Sequence, residues 1–212
     1  PQLVIIGGGG NSYQIAKSIE SKSIPVLIIS PENIYELAEA IENLGKILGY
    51  RANAQRLKNF IIAKANYIKK LIKDSHKPLV YLAGVNPYCT FAKGSAWSSL
   101  IELAGGINVA GDLDYPWPKV SSEILIKWNP EIILIVGNAD YDVDWFVDKK
   151  IFRCVKAVKE GRVYKLSHYL SWSPRLILAL IEMAKYIHPD KCEELDIESV
   201  KNELAKITSI KY

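Results

Sequence analysis

Methionine is nearly absent, cysteine is scarce, and the chain has no dense basic block and no long apolar run; each shortage excludes a class. The 212 residues hold 3 Cys and 1 Met. Cys89, Cys154 and Cys192 are far apart and odd in number, without Cys-x-x-Cys or Cys/His metal spacing, which argues against a zinc site or a disulfide framework. His76, His168 and His188 fall in unrelated contexts, and no carboxylates gather around them at coordinating spacing. No apolar run approaches the roughly 18 residues of a membrane span. Lys and Arg number 27 against 23 acids, a net charge of +4. The lysines are spread along helices, so nucleic acid is not an expected partner. No Ser, Cys or Asp occupies a nucleophile elbow such as G-x-S-x-G.

The apolar residues that are present alternate between two periods. Leu3 to Ile6 and Val26 to Ile29 are short continuous runs, as expected of parallel strands covered on both faces, with a crossover helix between them over Tyr13 to Ser21. Helical spacing then predicts Ile34 to Leu48, ending near Gly49, and a long helix over Ala52 to Asp74. At about 1.5 Å per residue the latter exceeds 30 Å, long enough to join two lobes. Strands are predicted again at Leu79 to Leu82, Ile132 to Val136 and Val163 to Leu166. Helices are predicted at Trp97 to Ala104, Val120 to Lys127, Phe146 to Ala157, Pro174 to Ile187 and Ile197 to Ile207. The expected fold class is α/β. Four segments are expected: a first α/β lobe at 1–50, the bridging helix at 51–76, a second α/β lobe at 77–188 and a helical tail at 189–212. Gln2 to Ile6 enters a buried strand at once, as if the chain began inside a domain, so a missing signal segment says nothing about secretion.

Two motifs face the strand ends. Gly7-Gly8-Gly9-Gly10-Asn11 lies between a strand and a helix and invites a dinucleotide reading. Tyr13 is nevertheless wrong for close helix–strand packing, the nearest acid at ribose distance is Glu32 in a loop, and no Lys-Ser/Thr pair follows. A glycine-rich loop facing a cleft is the favoured reading. The second motif is aromatic: Asn86-Pro87-Tyr88 with Phe91, and Tyr115-Pro116-Trp117-Pro118. Proline on both sides fixes the backbone around the indole, so Trp117 loses little entropy when a flat group packs on it. Tyr13, Tyr88, Phe91, Trp97, Tyr115, Trp117, His168, Tyr169 and Trp172 all fall near strand-to-helix loops, where ligands bind in doubly wound sheets. Each is also readable as core, and Trp97 at a helix start could pack inward.

In order along the chain, these residues carry a resemblance. Pro1-Gln2-Leu3-Val4-Ile5 with Gly9-Gly10-Asn11, Gly84 to Thr90, Leu103-Ala104-Gly105-Gly106-Ile107-Asn108, Pro116-Trp117-Pro118-Lys119-Val120-Ser121 and Asn129-Pro130-Glu131 resemble the class III substrate-binding proteins of ABC importers. That group captures vitamin B12, ferric siderophores and haem. The resemblance implies two Rossmann-like lobes joined by a rigid bridging helix, with the N-terminal lobe truncated here. It is greatest for the vitamin-B12-binding branch, through Asn86-Pro87 and Pro116-Trp117-Pro118.

On that basis Trp117 would stack on the ligand, and Tyr88 and Phe91 would line the same wall. His168, Tyr169 or Trp172 would close it, and Asn11 and His168 would orient the cargo. Glu123 would dock on an arginine pocket of the permease, although without the resemblance it reads as a first-turn carboxylate after Ser121 and Ser122. Gly7 and Gly8 stand where that branch places an aromatic, implying a roomier pocket or a different ligand. The expected protein is a monomeric, extracytoplasmic, secreted or lipid-anchored carrier that needs no cofactor and delivers a corrinoid, or else a ferric siderophore or haem, to an ABC permease. The rival is an enzyme on a similar fold, a chelatase-like metal inserter or a nucleotide-dependent oxidoreductase.

Overall fold

The computed structural model, which describes residues 1–167 and 173–209, holds two parallel sheets; the second lies in the main apolar core, whereas the strands of the first, expected to be covered on both faces, are only partly buried, with Ile5 exposed. The first pairs β1 (Val4–Gly7) with β2 (Val26–Ile29) in parallel around α1 (Ser12–Glu20). The second has the order β4-β3-β5-β6, all parallel, from β3 (Leu79–Ala83), β4 (Ile107–Asn108), β5 (Ile132–Ile135) and β6 (Val163–Lys165). Every residue of β5 is buried, as continuous apolar sequence requires of a strand covered on both faces.

In chain order, α2 (Ile34–Leu48) and α3 (Arg51–Leu71) connect the two sheets. Asn33 caps α2: its Oδ1 accepts from the backbone N–H groups of Tyr35 and Glu36, and the Glu36 carboxylate accepts in return from the backbone of Glu32. Gly49, at φ 80, ends α2 in the left-handed conformation that glycine adopts freely. The corner then packs so tightly that a Cβ on Gly45 would fall 2.1 Å from the Ala54 Cβ. From there α3 runs 21 residues. Its buried stripe of Phe60, Ile61, Ala65 and Ile68 meets α2, then α4 (Ala96–Leu103) and α8 (Leu176–Ile187).

Most elements fall where the apolar periods put them, and four differ. The helix expected at Phe146 to Ala157 is instead α6 (Asp144–Val147), a 3₁₀ turn at Lys150–Phe152 and α7 (Lys156–Lys159). Phe146, Phe152, Val155 and Ala157 are all buried, and steps of six, three and two residues cannot lie on one helix face. α5 (Ser122–Trp128) begins after Val120, because the Val120 N–H is bonded to the Tyr88 carbonyl and Ser121 supplies the cap. Two-residue β4 and four-residue α9 (Pro189–Cys192) are too short to carry a period. The tail helix, α10 (Ile197–Thr208), packs Val200 and Leu204 onto α3 and α8.

One buried contact ties the end of α4 to the end of α8. Gly105, at φ +85, presents its carbonyl to the His188 ring 3.2 Å away. A carbonyl can only accept, so His188 Nε2 carries the proton. A Cβ on Gly105 would lie 2.4 Å from that nitrogen, and the left-handed backbone penalises a side chain as well. Gly105→Ala is expected to destabilise the chain by roughly 1–3 kcal/mol, measured by chemical denaturation.

Burial, reinforced by the nearby Arg162 guanidinium and the His76 ring, holds the His188 pKa below its ordinary value, against the opposing pulls of the Gly105 bond and Asp190. An unfolded histidine titrates near about 6.5, so the unfolded chain takes up the proton first as pH falls. The associated stability is complete above that value and is lost progressively below it, down to the folded pKa. Melting temperature should drop across this window in the parent, and the part due to this ring should vanish in His188→Gln.

Candidate functional site

All strands of both sheets are parallel, so the loops at their carboxyl ends lie on one side of each sheet, and those loops carry the candidate residues. In the second sheet, two loops form one wall. Residues 84–95 follow β3 and residues 109–121 follow β4. Backbone bonds zip them together: Thr90 N–H donates to the Pro118 carbonyl at 2.9 Å, Ala92 N–H to the Pro116 carbonyl at 2.9 Å, and Val120 N–H to the Tyr88 carbonyl at 2.8 Å. Cys89 and Lys119 form an antiparallel bridge within this ladder.

The ladder explains Pro-Trp-Pro. Proline has no N–H, and at positions 116 and 118 the ladder asks only for an acceptor. With both prolines committed in this way, the alternation of an extended chain sends the intervening indole to the opposite face. Trp117 remains 45% exposed and meets Tyr115 edge to face, with ring centroids 6.1 Å apart. Its Cη2 reaches to 3.7 Å from the position of a Cβ on Gly9, so the indole extends to the glycine loop of the other sheet.

That glycine loop is built on glycine conformations. Gly9 (φ 113) and Gly10 (φ 49) turn the chain from β1 into α1, and the Ser12 hydroxyl folds back on the carbonyls of Gly7 and Gly9. Asn11 is exposed at the start of α1 and makes no capping bond with its side chain. Tyr13 is 75% exposed. A polar cavity of about 460 Å³ is lined by Glu32 and Asn33 from one side and by Lys93, Ser98, Glu102 and Asp112 from the other. The loops of the two sheets therefore face each other.

Tyr88 and Phe91 are half-buried at the foot of the zipped wall and pack on the core. The Phe91 carbonyl accepts from Asn108 Nδ2 at 2.7 Å, which anchors the first loop to β4. Trp97, read either as a ligand contact or as packing inward from a helix start, is only 8% exposed in the first turn of α4, where it packs on Phe91 at 5.9 Å. The α4 start leaves it no other direction, since Ser95 caps the helix by accepting from Ser98 N–H and the apolar stripe turns inward. His168, Tyr169 and Trp172 lie outside the described residues. Tyr141 and Trp145, which the sequence patterns did not single out, stand against the loop that carries Tyr88.

Glu123 follows the second loop directly, exposed in the first turn of α5. Hydrogen bonds from the Ser121 side chain, its own backbone N–H and Ser122 hold its carboxyl below the usual range. It is thus a fixed negative charge on the surface, and both its cap environment and its exposure suit it to meeting a cation.

A family model described as periplasmic binding protein matches residues 1–170. The vitamin B12-binding protein of Salmonella typhi is 29% identical over 140 residues, covering 66% of this chain and 53% of that protein. The chain spans about half the length of the curated relatives it matches. Among solved structures, Helicobacter pylori CeuE in a Ni–His complex superimposes with a TM-score of 0.87 at 22% identity, covering 98% of this chain and 68% of that one. The periplasmic vitamin B12-binding protein BtuF of Vibrio cholerae gives a TM-score of 0.74 at 19% identity, over 92% of this chain and 76% of that one. At these identities the structures speak to the fold, which is the α/β arrangement of parallel sheets described above.

Proposed function

We propose that this chain, which belongs to the periplasmic binding protein family, captures a large metal chelate outside the cytoplasm and hands it to an ABC permease. The cargo is a corrinoid first and a ferric siderophore or haem second. The observation that carries this reading is the exposed indole of Trp117, locked between two prolines, zipped to a second aromatic loop and aimed at a backbone of bare glycines. Glycine leaves room for a bulky face on one side, and the indole supplies a flat surface on the other. Among the described residues no three His, Cys, Asp or Glu side chains stand together as a metal site. On this reading the cargo is gripped through its organic face. The likeness of the chain to vitamin B12-binding proteins supports the corrinoid as first choice.

Mechanism on this reading is capture without chemistry. Residues 1–50 and 77–188 serve as the two walls and α3 as the strut that limits their movement. Trp117, Tyr88 and Phe91 exclude water from one face of the ligand, Asn11 offers its free amide from the other wall, and Tyr13 stands at the rim. Trp97 acts only by supporting Phe91. Glu123 docks the loaded protein, a single copy, on a cationic pocket of the permease.

Titration with cyanocobalamin, a ferric siderophore and haem, followed by tryptophan fluorescence and checked by calorimetry, tests the cargo. Saturable binding of one identifies the class, and binding of none sinks the capture reading for this chain. Trp117→Ala should weaken that binding by more than about tenfold, or roughly 1.4 kcal/mol, at an unchanged melting temperature. An unaltered Kd would remove Trp117 from the site. Glu123→Ala should leave Kd intact and cut uptake in a transport assay with the permease. Normal uptake would end the docking role.

A further inference from the structure

The loop that presents Tyr88 is held by a set of aromatic side chains that the capture reading does not use. It is closed on itself by Gly84 N–H donating to the Cys89 carbonyl at 2.8 Å, and an Asx turn adds Tyr88 N–H to Asn86 Oδ1 at 3.0 Å. Two phenols then hold its carbonyls. Fully buried Tyr81, from β3, donates to the Pro87 carbonyl at 2.9 Å, and Tyr141, from the segment after β5, donates to the Gly84 carbonyl at 2.6 Å. Both carbonyls belong to the turn itself, so each phenol fixes backbone rather than a side chain.

The ring of Tyr88 is held separately. Trp145 meets it edge to face at 82°, with centroids 5.3 Å apart. Trp145 in turn is wedged against Tyr141 at 5.8 Å and the fully buried Phe152 at 5.7 Å, and the Lys149 ammonium lies 4.3 Å from its ring centroid. A half-exposed indole with neighbours on this many sides has little freedom of its own. It therefore transmits the rigidity of the core to a phenol at the mouth of the site.

We propose that Trp145, seconded by Tyr141, is a positioning residue of the binding wall: it sets the tilt of the Tyr88 ring and the order of the 84–90 loop before any ligand arrives. This rests on the reading of Tyr88 as part of a ligand-binding wall, and its structural half can be tested without a ligand. Cys89 is the reporter, since it lies within the loop and is half-buried, whereas Cys192 is buried elsewhere and reports global opening. Alkylation by iodoacetamide joins each thiol sulfur to the reagent's methylene carbon and releases iodide, and peptide mass spectrometry reads the two cysteines separately.

In Trp145→Leu the Cys89 rate should rise about fivefold or more while the Cys192 rate holds, the signature of local opening. Trp145→Phe, which keeps an aromatic ring against Tyr88, should restore a near-parent rate. Tyr141→Phe, which deletes one hydroxyl and nothing else, should give a smaller rise at Cys89 alone. Cyanocobalamin affinity should follow the same order, with a loss of roughly tenfold in Trp145→Leu and rescue by Phe. Unchanged Cys89 rates in all three variants overturn the proposal, as does a rise shared equally by Cys192. If the parent binds no cyanocobalamin, the corrinoid reading fails, while the alkylation rates still decide whether Trp145 orders the loop.

Discussion

Three backbone hydrogen bonds between residues 88–92 and 116–120 hold the candidate site together. They join two loops that leave different strands, and neither loop has regular structure that would fix its shape alone. Each such bond contributes only about 1 kcal/mol net. Their larger effect is geometric, because the ladder decides which way every side chain on both loops points. It takes the Val120 N–H from α5, uses the carbonyls of two prolines, and leaves Trp117 outside. The side chains beneath the ladder, Asn108 holding the Phe91 carbonyl and Thr90 donating to the Leu82 carbonyl at 2.7 Å, extend the same constraint down to the sheet.

Behind the ladder, α3 packs against α2 and against α4 and α8 of the second unit. The close approach of Gly45 to Ala54 sets the angle at which α3 leaves α2, and the Gly105–His188 contact anchors the opposite end of the second sheet. Both contacts are made by glycine for one reason: backbone must come closer than a Cβ permits. The glycines at the site serve a different end. Gly9 and Gly10 keep one wall bare where the Trp117 indole arrives, so the narrow point of the cleft consists of backbone against a single aromatic ring.

The aromatic wall is built from Tyr88, Phe91, Tyr115 and Trp117, and a separate polar cavity mixes Lys93 with Glu32, Glu102 and Asp112. An aromatic wall of this kind favours broad apolar contact over the pairing of a single ion. Glu123 is exposed in the first turn of α5, its carboxyl held below the usual range by its serine cap.

The sequence by itself determined the strands and long helices. Continuous apolar runs at Val26–Ile29 and Ile132–Ile135 and the period of Ile34–Leu48 are local signals, written in neighbouring residues. It also marked the glycine loop and Pro-Trp-Pro, because special backbone geometry leaves a mark in residue type. Tertiary structure decided the rest. Trp97 and Trp117 are the same residue type beside similar loops, yet one is sealed behind Phe91 and the other stands free, since burial depends on what the chain brings from elsewhere. The break-up of 144–159 follows from Phe146 and Phe152 both reaching the core, and the roles of Tyr141 and Trp145 exist only because the turn at 84–89 lies within their reach. Periodicity reports which face of a segment is apolar; which partner that face meets is a contact between distant residues, and no local pattern contains it.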